Sequence, residues 1–450
     1  MITRFEVDGF KNLKEFSCDF APYTCIAGPN SVGKSNVFDA LAFLAATASV
    51  SFNQAASSMR GQSGDIDDLF APDHSEIHFA VELIVQNSFT DEFQRSVSVD
   101  HTYLRYELRL AKEQVPVAAG GTVSTLKLVE ETLATLPKKR AEARLGWVRW
   151  GTEFAKSALK FSGRTKSFIS TSDGTVKISS QVGRPPEIPL ANQPVGSSAL
   201  SGFGMHEFPF VAVVRAELRN WLTLSLEPSA MRAPSEATAP DHVNQEGGNL
   251  PKTLSRLSAA GTDTGVLEDL VDSVRELVDV REIVLDFDQA RQLFTLRARV
   301  AGAPMLPARS LSDGTLRFIA LSILQLDPEF SGVVCFEEPE NGIHPRKMRE
   351  MFQLIQDLAV DTGHAISDEN PLRQVLVNTH SPSYIYQHGE SLGNLLMAST
   401  KPQSNALMLS PVRMDGTWRP AANGQVPPQV VLELLEESFP GVDFSSWEAL

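Results

Sequence analysis

Cysteine is scarce. Cys18, Cys25 and Cys335 are the only three in 450 residues, too few for a disulfide framework and without metal-ligand spacing, so they read as small core residues of a reduced compartment. Long apolar runs are missing as well. No stretch approaches the roughly 20 uninterrupted apolar residues of a membrane helix, and the start, MITRFEVDGF, lacks the basic-then-apolar form of a secretory signal. A cytoplasmic protein with no membrane contact is expected. Positive charge is in deficit, 40 Lys and Arg against 55 Asp and Glu, for a net charge of -15. That balance argues against wholesale coating of nucleic acid, which rests on a basic face, but leaves room for a local patch. No heptad run long enough for an extended coiled coil occurs. What remains is a folded chain, 42% hydrophobic and 21% charged, able to bury a large core in two or three lobes.

The first informative stretch is APYTCIAGPNSVGKSNVFDALAFLAA. A β-type segment ends at Ala27, the loop Gly28-Pro29-Asn30-Ser31-Val32-Gly33-Lys34-Ser35 follows, and after it, past Asn36, comes a helix with Val37, Leu41 and Leu44 on one stripe. This is G-x-x-x-x-G-K-S in its strand-loop-helix setting. The glycines let backbone N–H groups turn toward phosphate oxygens, and the helix N-terminus adds partial positive charge. Lys34 is expected to neutralise the β and γ phosphates of the bound ligand, and Ser35 to hold Mg2+.

A second stretch, VVCFEEPENGIHP, ends a buried strand in two adjacent carboxylates, Glu337 and Glu338. Paired acids there need a cation or a proton to manage them. A phosphate-bound Mg2+ supplies the cation: Glu337 is expected on the metal side and Glu338 beside an attacking water. Lys34 and Glu338 lie about 300 residues apart, so a large insertion separates them. Just upstream of the carboxylates, Ser312-Asp313-Gly314-Thr315 forms a small-residue turn at another helix start. A second phosphate-facing helix start is redundant in one subunit and makes sense if it meets the nucleotide of another.

The order GPNSVGKS, LSDGT, CFEEPENGIHP, then QVLVNTHSP resembles the ABC-type ATPases of the RecF, SMC and OLD-like branch, the stand-alone bacterial proteins often labelled AAA-family ATP-binding proteins. The N-terminal ITRFEVDGFKNLKEFSCDF, with its Phe-Lys-Asn turn, and the stretch Glu217 to Leu257 are similar to that branch too. The resemblance implies an α/β fold: a P-loop ABC-type head with mixed sheet, a β-rich antiparallel lobe and an inserted helical subdomain. It implies Walker A at Gly28, Asn30, Gly33, Lys34 and Ser35; Walker B and the catalytic glutamate at Glu337 and Glu338; the signature at Ser312, Asp313 and Gly314. Asn341 and Gly342 fall at the D-loop and His380 at the switch histidine. It further implies a homodimer or higher homo-oligomer closed around ATP and Mg2+, acting with a separately encoded nuclease or toxin effector in antiphage defence. DNA repair, or a nucleotide-gated scaffold with slow turnover, is the alternative.

Two departures stand out. The metal-side acid is glutamate where aspartate is commoner, and Asp313 and Thr315 replace the glycine- and glutamine-rich signature of transporters, so a transporter subunit is not expected. Gln54 and Gln62 are both open as the Q-loop residue. Expected divisions are residues 1–204 (Walker A and the β-rich insertion), 205–300 (the helical and strand insertion), 301–400 (signature to switch histidine) and 401–450 (C-terminal extension). Strand-like alternation runs from SEIHFAVELIVQ to STLKLVEETLATL and is read as continuing through GWVRW, ALKFSGRTKSFIST and GTVKISS. Within it, nine basic residues between Lys138 and Lys166 face only Glu142 and Glu153, with Trp147 and Trp150 interleaved. Nucleic-acid contact and a solvated sheet face over two core tryptophans are both open there. The tail holds no Glu and Asp-x-Asp cluster of the kind in Toprim nuclease domains, so cleavage of nucleic acid by this chain is not expected. Val430, Val431, Leu434 and Leu435 lie on a short amphipathic helix before Phe444 and Trp447, read as either self-docked or an oligomer or partner surface.

Overall fold

A computed structural model describes residues 1–59, 65–90, 95–117, 120–179, 186–190, 194–203, 207–260, 265–275, 277–389, 391–413, 418–419 and 424–438. The chain forms an α/β fold of two compact units: Met1–Trp221 with Asp361–Ile366 and Leu392–Pro428, and Leu222–Val360 with Ser367–Ser391 and Gln429–Leu450.

The first unit is built on an eight-stranded antiparallel sheet. Its spatial order is Glu187–Pro189, Thr175–Ile178, Ser167–Ser172, Thr122–Thr135, Tyr103–Pro116, Glu76–Ile84, Ile2–Asp8 and Phe16–Asp19. The alternation seen in the sequence is the pleat itself, with one side chain in two facing the core. Thus Leu104, Tyr106, Leu108 and Leu110 are buried on one long strand, and Phe79, Val81 and Leu83 on its neighbour. The helix Lys34–Thr47 is held by an aromatic cluster in which Phe43 meets Phe10 at 6.0 Å and Phe79 at 5.6 Å between ring centres. Each such ring pair adds about 0.5–1.5 kcal/mol beyond its burial. That packing fixes the start of the helix, and hence the loop before it. In the same unit Tyr23–Ala27 pairs in parallel with Leu395–Thr400, which pairs antiparallel with Leu407–Pro411.

The second unit pairs Leu222–Leu224, Gly332–Glu337 and Arg373–Thr379 in parallel, in that order. Arg373–Thr379 is buried throughout, as a parallel strand covered on both faces requires. A smaller antiparallel sheet runs Ser235–Glu236, Leu293–Val300, Val280–Asp288, with Met305–Pro307 also on Leu293–Val300. The helix Gly265–Arg275 buries Leu270, Val271 and Val274, a stripe that includes Val271 and leaves Val266 and Leu267 half-buried. Among the described residues no helix is long and apolar enough to cross a membrane.

The stretch 138–166 differs from the strand reading. Lys138–Arg144 and Glu153–Ala158 are helices, GWVRW is a turn between them, and strand resumes only at Ser167. KKRAEAR is made of strong helix formers, and the glycines at 146 and 151 bound a segment too short to pair. Four of the nine basic side chains are in ion pairs: Lys138 with Glu142, Arg140 with Glu82, Arg144 with Asp19 and Lys156 with Glu153. Trp147 packs on Phe154 with ring centres 6.1 Å apart; Trp150 is exposed beneath the Lys138 ammonium.

Candidate functional site: a phosphate loop and a carboxylate–histidine cluster

The fully buried strand Tyr23–Ala27 delivers the chain into the loop at Gly28. A Cβ on Gly28 would stand 2.7 Å from the Ala398 carbonyl oxygen, so the backbone can pass there only as glycine. Gly33 ends the loop in the left-handed region, φ 95°, as the N-cap of Lys34–Thr47. That helix start has no side-chain cap and no acid in its first turn, so no carboxylate there offsets the partial positive charge of its N-terminus. Lys34 is buried and folds back on the loop, its Nζ donating to the carbonyls of Gly28 at 2.8 Å and Pro29 at 2.7 Å. Pro29, Asn30, Ser31 and Ser35 are exposed, and Val32 and Asn36 half-buried.

A residue that sequence reasoning missed braces the loop. Asn12 donates from Nδ2 to the Val32 carbonyl at 3.0 Å, and its Oδ1 accepts from Asn36 Nδ2 at 2.8 Å. Beside it Lys11, at φ 49°, pairs with Asp39 of the helix at 2.6 Å. The available signal was an Asn in a tight turn directly after a strand, a residue type whose side chain bonds nearby backbone in turns.

In the other unit, Gly332–Glu337 and Arg373–Thr379 run in register, with Glu337 opposite Asn378. Glu338 follows at φ 46°, a conformation that costs a non-glycine residue about 1–2 kcal/mol. It is held by its N–H on the Asn378 carbonyl at 2.8 Å and by the Asn341 N–H on its own carbonyl at 3.0 Å. This bend brings three of the expected residues together: Glu338 Oε1 lies 2.6 Å from His380 Nδ1, and Asn341 Nδ2 donates to Glu338 Oε2 at 2.9 Å. With Nδ1–H on the carboxylate, Nε2 is the ring's second hydrogen-bonding position. The side chains are 36% and 39% exposed, so the pair is open to a ligand and its charge is partly screened. Next along, Glu340 is buried and accepts a short hydrogen bond from the Thr379 hydroxyl; the same oxygen of Thr379 accepts from the Ser381 N–H at 2.9 Å. Burial pushes the Glu340 carboxyl above the usual carboxylate range.

Ser312 caps the helix Asp313–Leu326, accepting from the Thr315 N–H at 3.2 Å. Asp313 is in an ion pair with Arg232, which also donates to the Leu311 carbonyl at 3.2 Å. A Cβ on Gly314 would lie 4.0 Å from Ile343, in the turn that carries Asn341 and Gly342, so signature and turn are neighbours. Gln54 is exposed and closes a capping box with Ser51 at the start of Phe52–Ser57; Gln62 lies outside the described residues. The C-terminal helix is Pro428–Ser438, with Val431 and Leu435 buried, and Phe444 and Trp447 lie outside the described residues.

A buried strand, a glycine loop with its lysine and a helix without a side-chain cap in one unit, and strand-end carboxylates on a parallel sheet in the other, are each the kind of part a phosphate-loop ATPase uses. The chain belongs to the family described as "AAA domain, putative AbiEii toxin, Type IV TA system", which matches residues 23–117 and 201–385, more than half of it. The lobe from 118 to 200, with the basic stretch, falls between the two matches. No curated protein matches the sequence. Solved SMC heads align with the chain. An Smc head bound to the C-winged helix domain of ScpA is 12% identical over 92% of this chain and 98% of that one, TM-score 0.47. The head domain from Thermotoga maritima is 12% identical over 92% and 99%, TM-score 0.37. A head with an extended coiled coil, bound to the C-terminal domain of ScpA derived from Pyrococcus furiosus, is 10% identical over 97% and 99%, TM-score 0.44.

Proposed function

We propose that the chain binds and hydrolyses ATP and closes as a homodimer or higher homo-oligomer around ATP and Mg2+. The observation that carries this is Glu338: a non-glycine residue kept on left-handed backbone so that its carboxylate meets Asn341 and His380. Strain of this kind persists where the surroundings over-determine it, as at catalytic positions. Glu338 orients the attacking water and takes its proton, and His380 holds it in place and stabilises charge on the departing γ-phosphate. Lys34 neutralises the β and γ phosphates. Ser312, Asp313, Gly314 and Asn341 serve the nucleotide of the partner subunit.

In this reading Mg2+ is assigned to the Ser35 hydroxyl, exposed in one unit, and the Glu337 carboxylate, half-buried in the other, both of the hard oxygen type. Among the described residues no three His, Cys, Asp or Glu side chains cluster as a metal cage. When bound, the ion neutralises charge on the β and γ phosphate oxygens.

Replacing Glu338 by Gln tests the reading. Nucleotide binding should persist, turnover should fall by about 100-fold or more as expected for a lost general base, and dimers should accumulate in light scattering with ATP. Hydrolysis at the parental rate removes Glu338 from that role.

The toxin and toxin–antitoxin wording of the family description supports a place in bacterial antiphage defence, as sensor or motor beside a separately encoded nuclease or toxin. A DNA-repair type of role has one observation in its favour. Lys139, Arg149, Arg164 and Lys166 are exposed without an ion-pair partner among the described residues, and Trp150, in the same stretch of sequence, is exposed too. Turnover that rises many-fold with added DNA supports that role; slow turnover unchanged by DNA, with ATP-dependent complex formation, supports the defence role.

A further inference from the structure

Two oppositely charged side chains in the second unit are buried and incompletely satisfied. Arg317 stands one turn into the helix that Ser312 caps; it is 9% exposed, its Nε meets no acceptor, and it forms no ion pair among the described residues. Glu340 is 7% exposed, and while Oε1 takes the Thr379 hydroxyl, Oε2 meets no donor. The carboxylates that act on Arg317 are Asp313, Glu227 and Glu340. Asp313 is already matched by Arg232. Burial lowers the Arg317 pKa and raises that of Glu340, which is what two charges lacking a close partner do. A buried polar atom left unmade is costly, and natural structures keep one chiefly where it has a use.

Resting on the ATPase reading above, we propose that Arg317 and Glu340 are positioning residues: they close on each other during the nucleotide cycle and thereby set the geometry of Glu338 and His380. The connections are short. Glu340 is two residues from Glu338 in the turn that Asn341 fastens, and it grips Thr379, the residue before His380. Drawing Glu340 toward Arg317 therefore pulls on both halves of the Glu338–His380 pair. Because Arg317 rides on the helix that begins with the signature, an event at Ser312 and Gly314 reaches the water-orienting group without either ligand-facing residue touching it.

The test compares wild type, Arg317→Met, Glu340→Gln and the double variant by steady-state ATP turnover, binding of a fluorescent ATP analogue and thermal unfolding. Each single change should lower kcat by about ten- to a hundredfold while analogue affinity moves less than about threefold, and the double should be no slower than the slower single. The unfolding temperature of Arg317→Met should equal or exceed that of wild type, since an unmatched buried cation is gone. Arg317→Lys should recover part of the rate. Losses that multiply in the double variant, or that follow a drop in unfolding temperature, overturn the proposal and leave the ATPase reading standing. A wild type that binds the analogue but does not turn it over defeats both.

Discussion

Gly33→Ala should damage the phosphate loop through Asn12, and the size of the effect follows from the geometry. At φ 95° an alanine costs roughly 1–2 kcal/mol of backbone strain relative to glycine. Its Cβ would also stand 2.1 Å from Asn12 Nδ2 and 2.6 Å from Oδ1, closer than any real contact. A free side-chain tip would swing aside at little expense. Asn12 is not free: moving it breaks the bonds to the Val32 carbonyl and from Asn36, each worth about 0.5–1.5 kcal/mol. The total is about 3 kcal/mol. A cycle of Gly33→Ala, Asn12→Ala and the double, followed by denaturant unfolding, separates the two contributions, because Asn12→Ala removes the three atoms nearest the new methyl. In that background the cost of Gly33→Ala should fall to about 1–2 kcal/mol, the strain alone. ATP-analogue affinity should follow the same pattern, worst in Gly33→Ala alone. An equal cost of Gly33→Ala in both backgrounds refutes the idea that Asn12 braces the loop.

The remaining expectations concern buried charge. Glu131 is buried on a central strand of the eight-stranded sheet, and burial pushes its carboxyl up to about 7, against donation from the Ala199 N–H at 2.6 Å, the Leu200 N–H at 3.2 Å and the Tyr106 hydroxyl at 3.0 Å. A raised carboxyl binds its proton more tightly folded than unfolded, so its contribution is full below about pH 4.3 and is lost as pH rises toward 7. The loss is at most about 4 kcal/mol. Unfolding free energies at pH 5 and 7.5 should differ less in Glu131→Gln than in wild type, and an unchanged difference would contradict the assignment. Arg373 is buried and gathers carbonyls of Phe330 at 2.7 Å, Asp327 at 2.9 Å and Leu358 at 3.4 Å. Arg373→Leu should lose about 3–5 kcal/mol of unfolding free energy by orphaning them, and Arg373→Lys nearly as much, since an ammonium cannot span three acceptors. A loss under about 1 kcal/mol in either variant counts against that network.

Where the physics is local, the sequence was readable. The loop Gly28 to Ser35 announces itself because strand, glycines, lysine and helix are consecutive, and the antiparallel strands between Glu76 and Thr135 show their pleat as alternation. Ser312 before Asp313–Leu326 is an ordinary N-cap followed by an apolar helix. Between Lys138 and Lys166 the same logic misled: basic residues at mixed spacing imitate a strand, and only helix propensity together with the flanking glycines turns them into two short helices. Asn12, Arg317 and Glu340 were opaque for another reason. Their partners lie 20 to 39 residues away or are missing from the hydrogen-bond network altogether, so no window of sequence contains the interaction.

Glu338 shows how the two kinds of information join. Its identity, an acid ending an apolar run, is a sequence fact and suggests chemistry on a phosphate. Its backbone conformation is a tertiary fact: φ 46° exists because the Asn378 carbonyl, 40 residues on, takes its N–H while Asn341 ties the turn. Neither fact alone distinguishes a working carboxylate from a solvated strand end. A solvated strand end would relax to ordinary β geometry and recover about 1–2 kcal/mol. The retained strain, spent in bringing a carboxylate, an amide and an imidazole to within hydrogen-bonding distance, is what makes the cluster a candidate for chemistry, and it places the specificity of the site in the turn 338–341 as much as in the phosphate loop.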